Sequence, residues 1–313
     1  GQDWHTDPFS LVSREGRFYA RGSADMKGFI ACVLARIPHM VAHTLTTPVH
    51  IALSYDEEVG CIGVRRLIEV MQSMLVRPAM GIIGEPTSLQ VITAHKGKKS
   101  WRVHVRGLSA HSAYPVEGVN AVEMASELIC QIRKIHQRIA TEGPFDDGYR
   151  VPYTTLHIGP IQGGTALNIV PETCEFQFEV RHLPEQSTEV LFKEICNYSE
   201  SELQPFMREV YPDAMIEFEA ISEYPGLLTS QQAAVVRFVQ SLMEEQTPTG
   251  KISFGSEAGL FGNETGVPCV VCGPGSILQA HRTDEFVSAD QLDQCWKFLG
   301  RLVENLRSHR LPD

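Results

Sequence analysis

Two adjacent glutamates, Glu57 and Glu58, lie between a segment that predicts a β-strand and a segment that predicts an α-helix. The residues before them, Pro48–Leu53, alternate in the manner of a strand. Gly60 then ends the acidic turn, and apolar residues return at helical spacing from Val64 onward. Because ligands of open α/β sheets gather beyond the carboxyl ends of strands, this connection constrains both the fold and the place of a site.

The two neighbouring carboxylates repel one another unless a cation or a proton separates their roles. One of them could bind a metal ion while the other stays free to handle a proton. Taken alone, a Glu-Glu pair is more often a solvated acidic turn. The functional interpretation therefore depends on which other residues accompany the pair.

Strand and helix predictions alternate through the first and last parts of the chain, which is typical of a sheet with helices on both faces. The middle of the chain instead predicts the order β-α-β-β-α-β of ferredoxin-like domains. Its predicted strands cover 98–107, 154–161, 174–181 and 215–221, and its predicted helices cover 121–135 and 187–210. We therefore expect an α/β catalytic domain formed by 1–95 and 223–313, with an inserted α+β domain at 96–222.

The composition limits the classes of partner. A formal net charge of -11 argues against nucleic acid or an anionic membrane as the main partner, and the apolar runs are too short to span a bilayer. The eight cysteines show no disulfide-framework spacing, which favours reduced thiols and a cytoplasmic location. Cys269 and Cys272 lie in a predicted strand, where residues three apart face opposite sides, so we expect a structural role for them.

Four candidate metal ligands stand where predicted strands end or helices begin: Asp25, Glu58, Glu85 and His281. Each has an ordinary alternative, a helix cap for Asp25 and a surface or core histidine for His281. Together they form a carboxylate-rich set with one imidazole, which suits zinc, cobalt or manganese better than an all-thiolate structural site does. A shared carboxylate could hold two such ions roughly 3.5–4 Å apart, and Glu57 would be free to take a proton from a metal-bound water.

These residues lie in segments that resemble the M20 metallopeptidase/deacetylase family, which are dinuclear zinc hydrolases. The resemblance extends over essentially the whole chain. The matching segments are Gly22–Gly28, Asp56–Gly60, Gly84–Thr87, Ala110–Ala113, Gly163–Pro171, and His281 with Asp284–Glu285. The resemblance implies a zinc-hydrolase-type mixed sheet, an inserted dimerisation domain, a homodimer, and a small N-acyl amino acid as substrate.

The resemblance also implies a role for each candidate ligand. Asp25 would bridge two zinc ions, Glu58 and His281 would complete one site, and Glu85 would serve the other. Cobalt or manganese could replace zinc. Glu57 would be the general base that later passes its proton to the leaving amine.

Further residues are implied to contact the substrate. His111, on the inserted domain, would reach the active site of the partner subunit and stabilise the tetrahedral oxyanion. Asn168 and Arg181 would bind substrate, with a turn cap and a surface ion pair as the ordinary alternatives; the guanidinium of Arg181 suits a carboxylate. Glu257 would pair with a substrate ammonium.

Within the family, the segment Phe254–Phe261 and the residues around Gly273–Pro274–Gly275 look most like the acetylornithine deacetylase group. This implies hydrolysis of N2-acetylornithine to ornithine and acetate in arginine biosynthesis. Succinyl-diaminopimelate desuccinylase, another N-acyl-amino-acid hydrolase or a carboxypeptidase would share every metal ligand. A non-catalytic dimerising relative, or an inactive truncated form, is the alternative from another class.

One departure from the family pattern concerns its first zinc ligand, a histidine in a His-x-Asp motif. The motif precedes a loop that Trp4–Phe9 resembles, so we expect it upstream of residue 1 and the catalytic domain to be N-terminally incomplete. The His5-Thr6-Asp7 sequence imitates the motif but lies inside that loop, and we interpret His5 as a coincidence.

Overall fold

The computed structural model describes residues 2–75, 77–245 and 248–308. Gly1, where the predicted opening loop starts, lies outside these described residues. The chain divides into two compact units. Unit 1 contains the described residues up to His95 and those from Leu227 onward, and unit 2 contains Lys96–Gly226.

The helices and strands follow one another in both units. The helices are α1 (Gly28–Val41), α2 (Val64–Ser73), α3 (Ala121–Glu142), α4 (Thr188–Tyr198), α5 (Gln204–Val210), α6 (Ala234–Ser241), α7 (Ala258–Thr265) and α8 (Ala289–Ser308). The strands are β1 (Val12–Arg14), β2 (Arg17–Tyr19), β3 (Gly81–Ile83), β4 (Ile92–His95), β5 (Gly97–Arg106), β6 (Thr155–Gly163), β7 (Thr173–His182), β8 (Met215–Tyr224), β9 (Leu227–Leu228), β10 (Gly250–Ile252), β11 (Cys269–Val271) and β12 (Phe286–Ser288). None of the described helices is both long enough and apolar enough to cross a membrane.

The main sheet of unit 1 has the order β10-β4-β11-β3, with β9 paired to β4. The pairs β10–β4 and β11–β3 are parallel, whereas β11–β4 and β4–β9 are antiparallel. The sheet is therefore mixed, and the fold is α/β. Since β3 and β11 are parallel neighbours, the chain leaves both at the same edge of the sheet.

The predicted strand at Pro48–Leu53 is wrong. Among the described residues no strand pairs with this segment, and the side chains of Ile51 and Leu53 are 38% and 56% exposed. Alternation of apolar and polar residues shows only that a segment suits a half-buried pleated surface. A strand forms when a neighbour supplies hydrogen bonds, and the described residues supply none here.

The core of unit 1 forms where α1, α6 and α8 pack against the sheet. The apolar spacing of the last helix predicts a buried stripe of Leu292, Cys295, Leu299, Leu302 and Leu306; the last four are buried in one cluster with Phe298, and Leu292 packs partly buried against it. Ser288 and Gln291 predict a capping box, of which one half forms: the Ser288 hydroxyl accepts from the Gln291 N–H at 3.2 Å, whereas the Gln291 Oε1 accepts from the Gly275 N–H. Packing of α1 on α8 fixes the helix that begins three residues after Asp25.

A second, small sheet of unit 1 has the antiparallel order β1-β2-β12. Tyr19 pairs with Phe286 in it, so residues from the two ends of the chain meet. Three-residue strands are too short to show a period, so the sequence did not predict this sheet. The small sheet brings the segment before Asp25 beside the segment after His281.

Unit 2 is a four-stranded antiparallel sheet of order β6-β7-β5-β8, with helices packed on one face. Its order β-α-β-β-α-β is the one predicted, and the helix expected over 187–210 is formed by α4 and α5, which join through the π-helical segment Ser199–Leu203. Trp101 stacks between Phe178 and Phe192, with ring centroids 5.0 and 4.6 Å away. This aromatic stack anchors the helices on the sheet.

Candidate metal centre

Four segments of unit 1 carry the candidate ligands, and the sheet explains the positions of two of them. Glu85 follows β3, and the loop that leads to His281 follows β11, the parallel neighbour of β3. The two loops are tied together by the hydrogen bond from the Leu89 N–H to the Gly273 carbonyl at 2.8 Å. Asp25 precedes α1, so it too is held by an element packed in the core.

Asp25, Glu58 and His281 converge on one point. The His281 Nε2 lies 3.3 Å from the Asp25 Oδ2 and 3.1 Å from the Glu58 Oε2. One ligand atom from each residue lies within 4.8 Å of those of the other two. Such distances suit three ligands of one cation.

Glu85 adds a third carboxyl group beside this trio. Its side chain is buried and shares a hydrogen bond with the carboxyl group of Asp25. Burial, followed by the charges of Asp25 and Glu57, raises the pKa of Glu85 well above its ordinary value. Burial and the charge of Glu58 likewise raise the pKa of Asp25.

Glu57 points into the same acidic region without joining the trio. Burial, then the charges of Glu58, Glu257 and Asp25, raise its pKa to about 7. The Cys61 thiol donates a weak hydrogen bond to the Glu57 Oε1 at 3.6 Å. A carboxyl group with a pKa near neutrality exchanges protons readily at physiological pH.

Glu257 is another buried acid of this region, at 7% exposure. Its Oε2 accepts a hydrogen bond from the Ser54 hydroxyl at 2.7 Å. Its Oε1 is buried and has no hydrogen-bond partner among the described residues. Burial raises the pKa of this carboxyl group. Native structures seldom leave a buried polar atom without a hydrogen-bond partner, so this oxygen is a candidate acceptor for a hydrogen bond from a ligand.

A cavity of about 770 Å³ connects these acids. Asp25, Glu57, Glu58, Glu85 and Glu257 all line it, together with apolar side chains of α1, α2 and α8. An apolar wall with a few convergent polar groups is the usual form of a small-molecule site.

The backbone at the centre adopts conformations that ordinary residues rarely take. His281 has a φ of 58° and Asp56, just before the glutamate pair, has a φ of 54°. Non-glycine residues in this left-handed region cost energy and concentrate at functional sites, where the surrounding structure enforces them.

The donor set fits a divalent metal ion. Several carboxylates face one another around a single imidazole, and they raise one another's pKa because little positive charge lies between them. A cation would remove this repulsion. Oxygen ligands with one histidine match zinc, cobalt or manganese.

Three other predicted site residues lie in unit 2. His111 and Asn168 lie in two loops that pair with each other: the Ser112 N–H donates to the Asn168 carbonyl at 3.1 Å, and His111 forms a β-bridge with Ile169. Arg181 lies on β7, where its Nε donates to the Glu179 Oε1 at 2.7 Å. The structure therefore brings His111 and Asn168 together within this unit.

The structure adds an ion pair next to the centre, half-buried at Arg21 and fully buried at Glu285, that the sequence did not predict. The Arg21 Nη1 donates to the Glu285 Oε2 at 2.8 Å, and the Glu285 side chain is only 1% exposed. The signal in the sequence that could have identified Glu285 is its position directly before the apolar pair Phe286–Val287, in a segment that also contains His281. His5, treated above as a coincidence, pairs with Asp284 in this same turn.

Comparison with known proteins gives one consistent family. The sequence profile of peptidase family M20/M25/M40 matches residues 1–305. An acetylornithine deacetylase from Pasteurella multocida (strain Pm70) is 34% identical over 301 residues, which cover 96% of this chain and 75% of that protein. An acetylornithine deacetylase from Myxococcus xanthus is 36% identical over 298 residues, covering 95% of this chain and 75% of that protein.

Solved structures agree at the level of the fold. A tripeptidase from Staphylococcus aureus superposes with a TM-score of 0.74 at 19% identity, covering 96% of this chain and 77% of that one. An M20 family metallo-carboxypeptidase from Sulfolobus solfataricus also gives a TM-score of 0.74, at 18% identity, covering 97% and 81%. The chain therefore belongs to peptidase family M20/M25/M40, a family of metal-dependent hydrolases of amide bonds.

Proposed function

We propose that this protein is a zinc-dependent amidohydrolase that removes the acetyl group from N2-acetylornithine, giving ornithine and acetate. The observation that carries the hydrolytic part is the convergent trio Asp25, Glu58 and His281, with the carboxyl group of Glu57 lining the same cavity. The choice of substrate is supported by the acetylornithine deacetylases that share about a third of the sequence.

The residues that would hold the metal ions follow from the donor set. Asp25, Glu58 and His281 would bind one zinc ion, and Glu85 with Asp25 would bind a second, with cobalt or manganese as substitutes. Bound metal supplies a Lewis acid, which polarises the amide carbonyl and lowers the pKa of the attacking water.

Glu57 would carry the proton. As a carboxylate it would accept a proton from the attacking water, and as a carboxylic acid it would then donate that proton to the departing amine nitrogen. The same carboxyl group would thus act first as base and then as acid, so that the proton lost by the water returns to the product amine.

Glu257 would recognise the side chain of the substrate. Its unpartnered Oε1 lies in the wall of the cavity. An ornithine-type ligand offers an ammonium group that could donate to this oxygen and balance its charge.

The remaining predicted roles belong to the same proposal. His111 would stabilise the oxyanion, and Asn168 and Arg181 would contact the substrate. We also propose a homodimer formed through unit 2, whose outer strands β6 and β8 are the edges of its described sheet.

The proposal is tested by comparing kcat/KM for four amides: N2-acetylornithine, N-succinyl-diaminopimelate, N-acetylmethionine and a tripeptide. We expect the highest value with N2-acetylornithine. The tripeptide is included because peptidases share the fold. A highest value with any of the other three compounds would replace the proposed substrate.

Substitution of Glu257 tests how the substrate is recognised. We expect Glu257→Gln to lower the preference for N2-acetylornithine over N-acetylmethionine by about 10- to 100-fold, the worth of a hydrogen bond to a charged group. Glu264→Gln, at a glutamate that contacts Arg65 in the same unit, is the control. An unchanged preference in Glu257→Gln would contradict the role of Glu257.

A further inference from the structure

Glu285 is a buried carboxylate whose two oxygens are both engaged. Its Oε1 accepts hydrogen bonds from the backbone N–H groups of Ala24 at 3.0 Å and Asp25 at 3.1 Å. Its Oε2 accepts from the Arg21 Nη1 at 2.8 Å. Its side chain is 1% exposed. It therefore has no direct part in the proposed chemistry, yet it holds the backbone of a proposed metal ligand.

The same network reaches the backbone of a second proposed ligand. The Arg21 Nη2 donates to the Gln2 Oε1 at 2.6 Å, and the Gln2 Nε2 donates to the His281 carbonyl at 3.1 Å. The guanidinium of Arg21 also lies over the Trp4 ring, 4.9 Å from its centroid. A continuous chain of hydrogen bonds thus joins Asp25 to His281 through Glu285, Arg21 and Gln2.

The backbone of Glu285 adds further anchors. Its carbonyl accepts from the Ala20 N–H at 3.1 Å and from the Ser23 hydroxyl at 3.3 Å. The next residue, Phe286, starts β12 and is paired with β2. The segments before Asp25 and after His281 are therefore fixed to each other by backbone and side-chain contacts.

A carboxylate suits this position better than a neutral side chain does. Its charge strengthens the hydrogen bonds to two successive N–H groups and to the guanidinium. His281 holds a left-handed φ of 58°, a conformation that persists only where its surroundings enforce it. Groups that orient metal ligands in this way commonly contribute 10- to 100-fold to metal affinity.

We propose that Glu285, acting with Arg21, is a positioning residue that sets the distance between Asp25 and His281 and so prepares the metal centre. The inference rests on the metal centre of the proposed function and not on its substrate. It predicts that loss of the Glu285 charge weakens metal binding even though every proposed ligand is present.

The test measures binding of Co²⁺ to metal-free wild-type protein and to Glu285→Gln, by calorimetry and by the absorption spectrum of bound Co²⁺. We expect the dissociation constant of the variant to rise by about 10- to 100-fold, and its Co²⁺ spectrum to change because the ligand geometry changes. At saturating metal we expect kcat to fall while KM stays within about twofold.

Asp284→Asn is the matched control, since Asp284 lies in the same turn but its carboxylate accepts from the His5 N–H at 3.0 Å. We expect its Co²⁺ affinity and spectrum to match those of the wild type. Arg21→Met combined with Glu285→Gln removes both charges of the pair, so no guanidinium is left unpaired, while the amide oxygen can still accept from the N–H groups of Ala24 and Asp25. This double variant is measured in the same way if Glu285→Gln alone does not fold, as judged by circular dichroism.

Two results separate the inference from the proposed function. Co²⁺ binding and a Co²⁺ spectrum like the wild type in a folded variant without the Glu285 carboxylate would overturn the positioning role alone. Failure of the wild-type protein to bind Co²⁺ would overturn the proposed metal centre, and the positioning role with it.

Discussion

The carboxyl groups of the candidate centre and those on the open face of the unit 2 sheet have opposite surroundings: other carboxyl groups in the centre, and basic side chains on the open face. On the open face, Arg102 lies 3.0 Å from both Glu175 and Glu219. His104 lies 3.3 Å from the same two glutamates. Hydrogen bonds from His104 and Arg102 lower the pKa of Glu219. In the centre, by contrast, burial and neighbouring acids raise the pKa of Asp25 and of Glu85.

The difference shows which region needs a cation from outside the chain. The open face supplies the Arg102 guanidinium as a partner for its carboxylates. The centre concentrates carboxylates around one imidazole, an arrangement that costs energy unless a cation is bound. Three predictions test this contrast, in order of decreasing effect.

The largest effect should come from Glu57→Gln. Because the amide cannot accept and return a proton, we expect kcat for the proposed substrate to fall by about 10²- to 10⁴-fold. Zinc content, measured by elemental analysis, should stay at the wild-type level, since Glu57 lies outside the ligand trio. A variant that keeps more than a third of the wild-type kcat would show that another group moves the proton.

An intermediate effect should come from adding zinc to the metal-free protein. Zinc at about 100 times its dissociation constant should raise the free energy of unfolding of metal-free protein by about 2.7 kcal/mol, because the ion binds the folded state. The increase should appear as a higher melting temperature by calorimetry. Glu58→Gln, which lacks one ligand, should show a smaller increase in the free energy of unfolding at the same zinc concentration. Equal increases in both proteins would place the ion elsewhere.

The smallest effect should come from Glu179→Gln on β7 of unit 2. Burial alone would raise the pKa of Glu179, but Arg181 and Lys98 outweigh it and lower the pKa below the ordinary value. A lowered carboxyl pKa contributes stability above the pKa of the unfolded chain, and that stability is lost as pH falls through the folded pKa. We expect the variant to lose about 1–2 kcal/mol at pH 7.

The pH dependence checks the sign of that last prediction. The difference in melting temperature between Glu179→Gln and the wild type should shrink as pH falls below about 4.5, where the unfolded carboxyl becomes protonated. A difference that grows in acid would show that the pairing with Arg181 does not stabilise the charged form.

Sequence periodicity predicted the long elements but only some of the short ones, such as β11. The apolar spacing of Val64, Leu67 and Ile68 predicted α2, which the structure contains. The residues of Pro48–Leu53 also alternate regularly, but they form no strand. A strand must hydrogen-bond to a neighbouring strand, and the alternation within one segment does not show whether such a neighbour is present. The three-residue strands β1, β2 and β12 are too short to show a period.

Part of the candidate site was also predictable. The positions of Asp25, Glu58, Glu85 and His281 at the ends of predicted elements selected them as candidate ligands, although their roles remain predictions. The ion pair of Arg21 and Glu285 was not predictable, since its partners lie 264 residues apart and each looks like an ordinary surface charge in the sequence.

The sequence by itself determined which residue types stand at the ends of strands and helices, because local spacing sets the period of each element and the chemistry of each side chain. Only the tertiary structure decided which of these groups meet, which are buried and which charges lack a counter-charge. The pKa of about 7 at Glu57 illustrates the reason. It arises from burial and from Glu58, Glu257 and Asp25, and two of these three acids are distant along the chain and near only after folding.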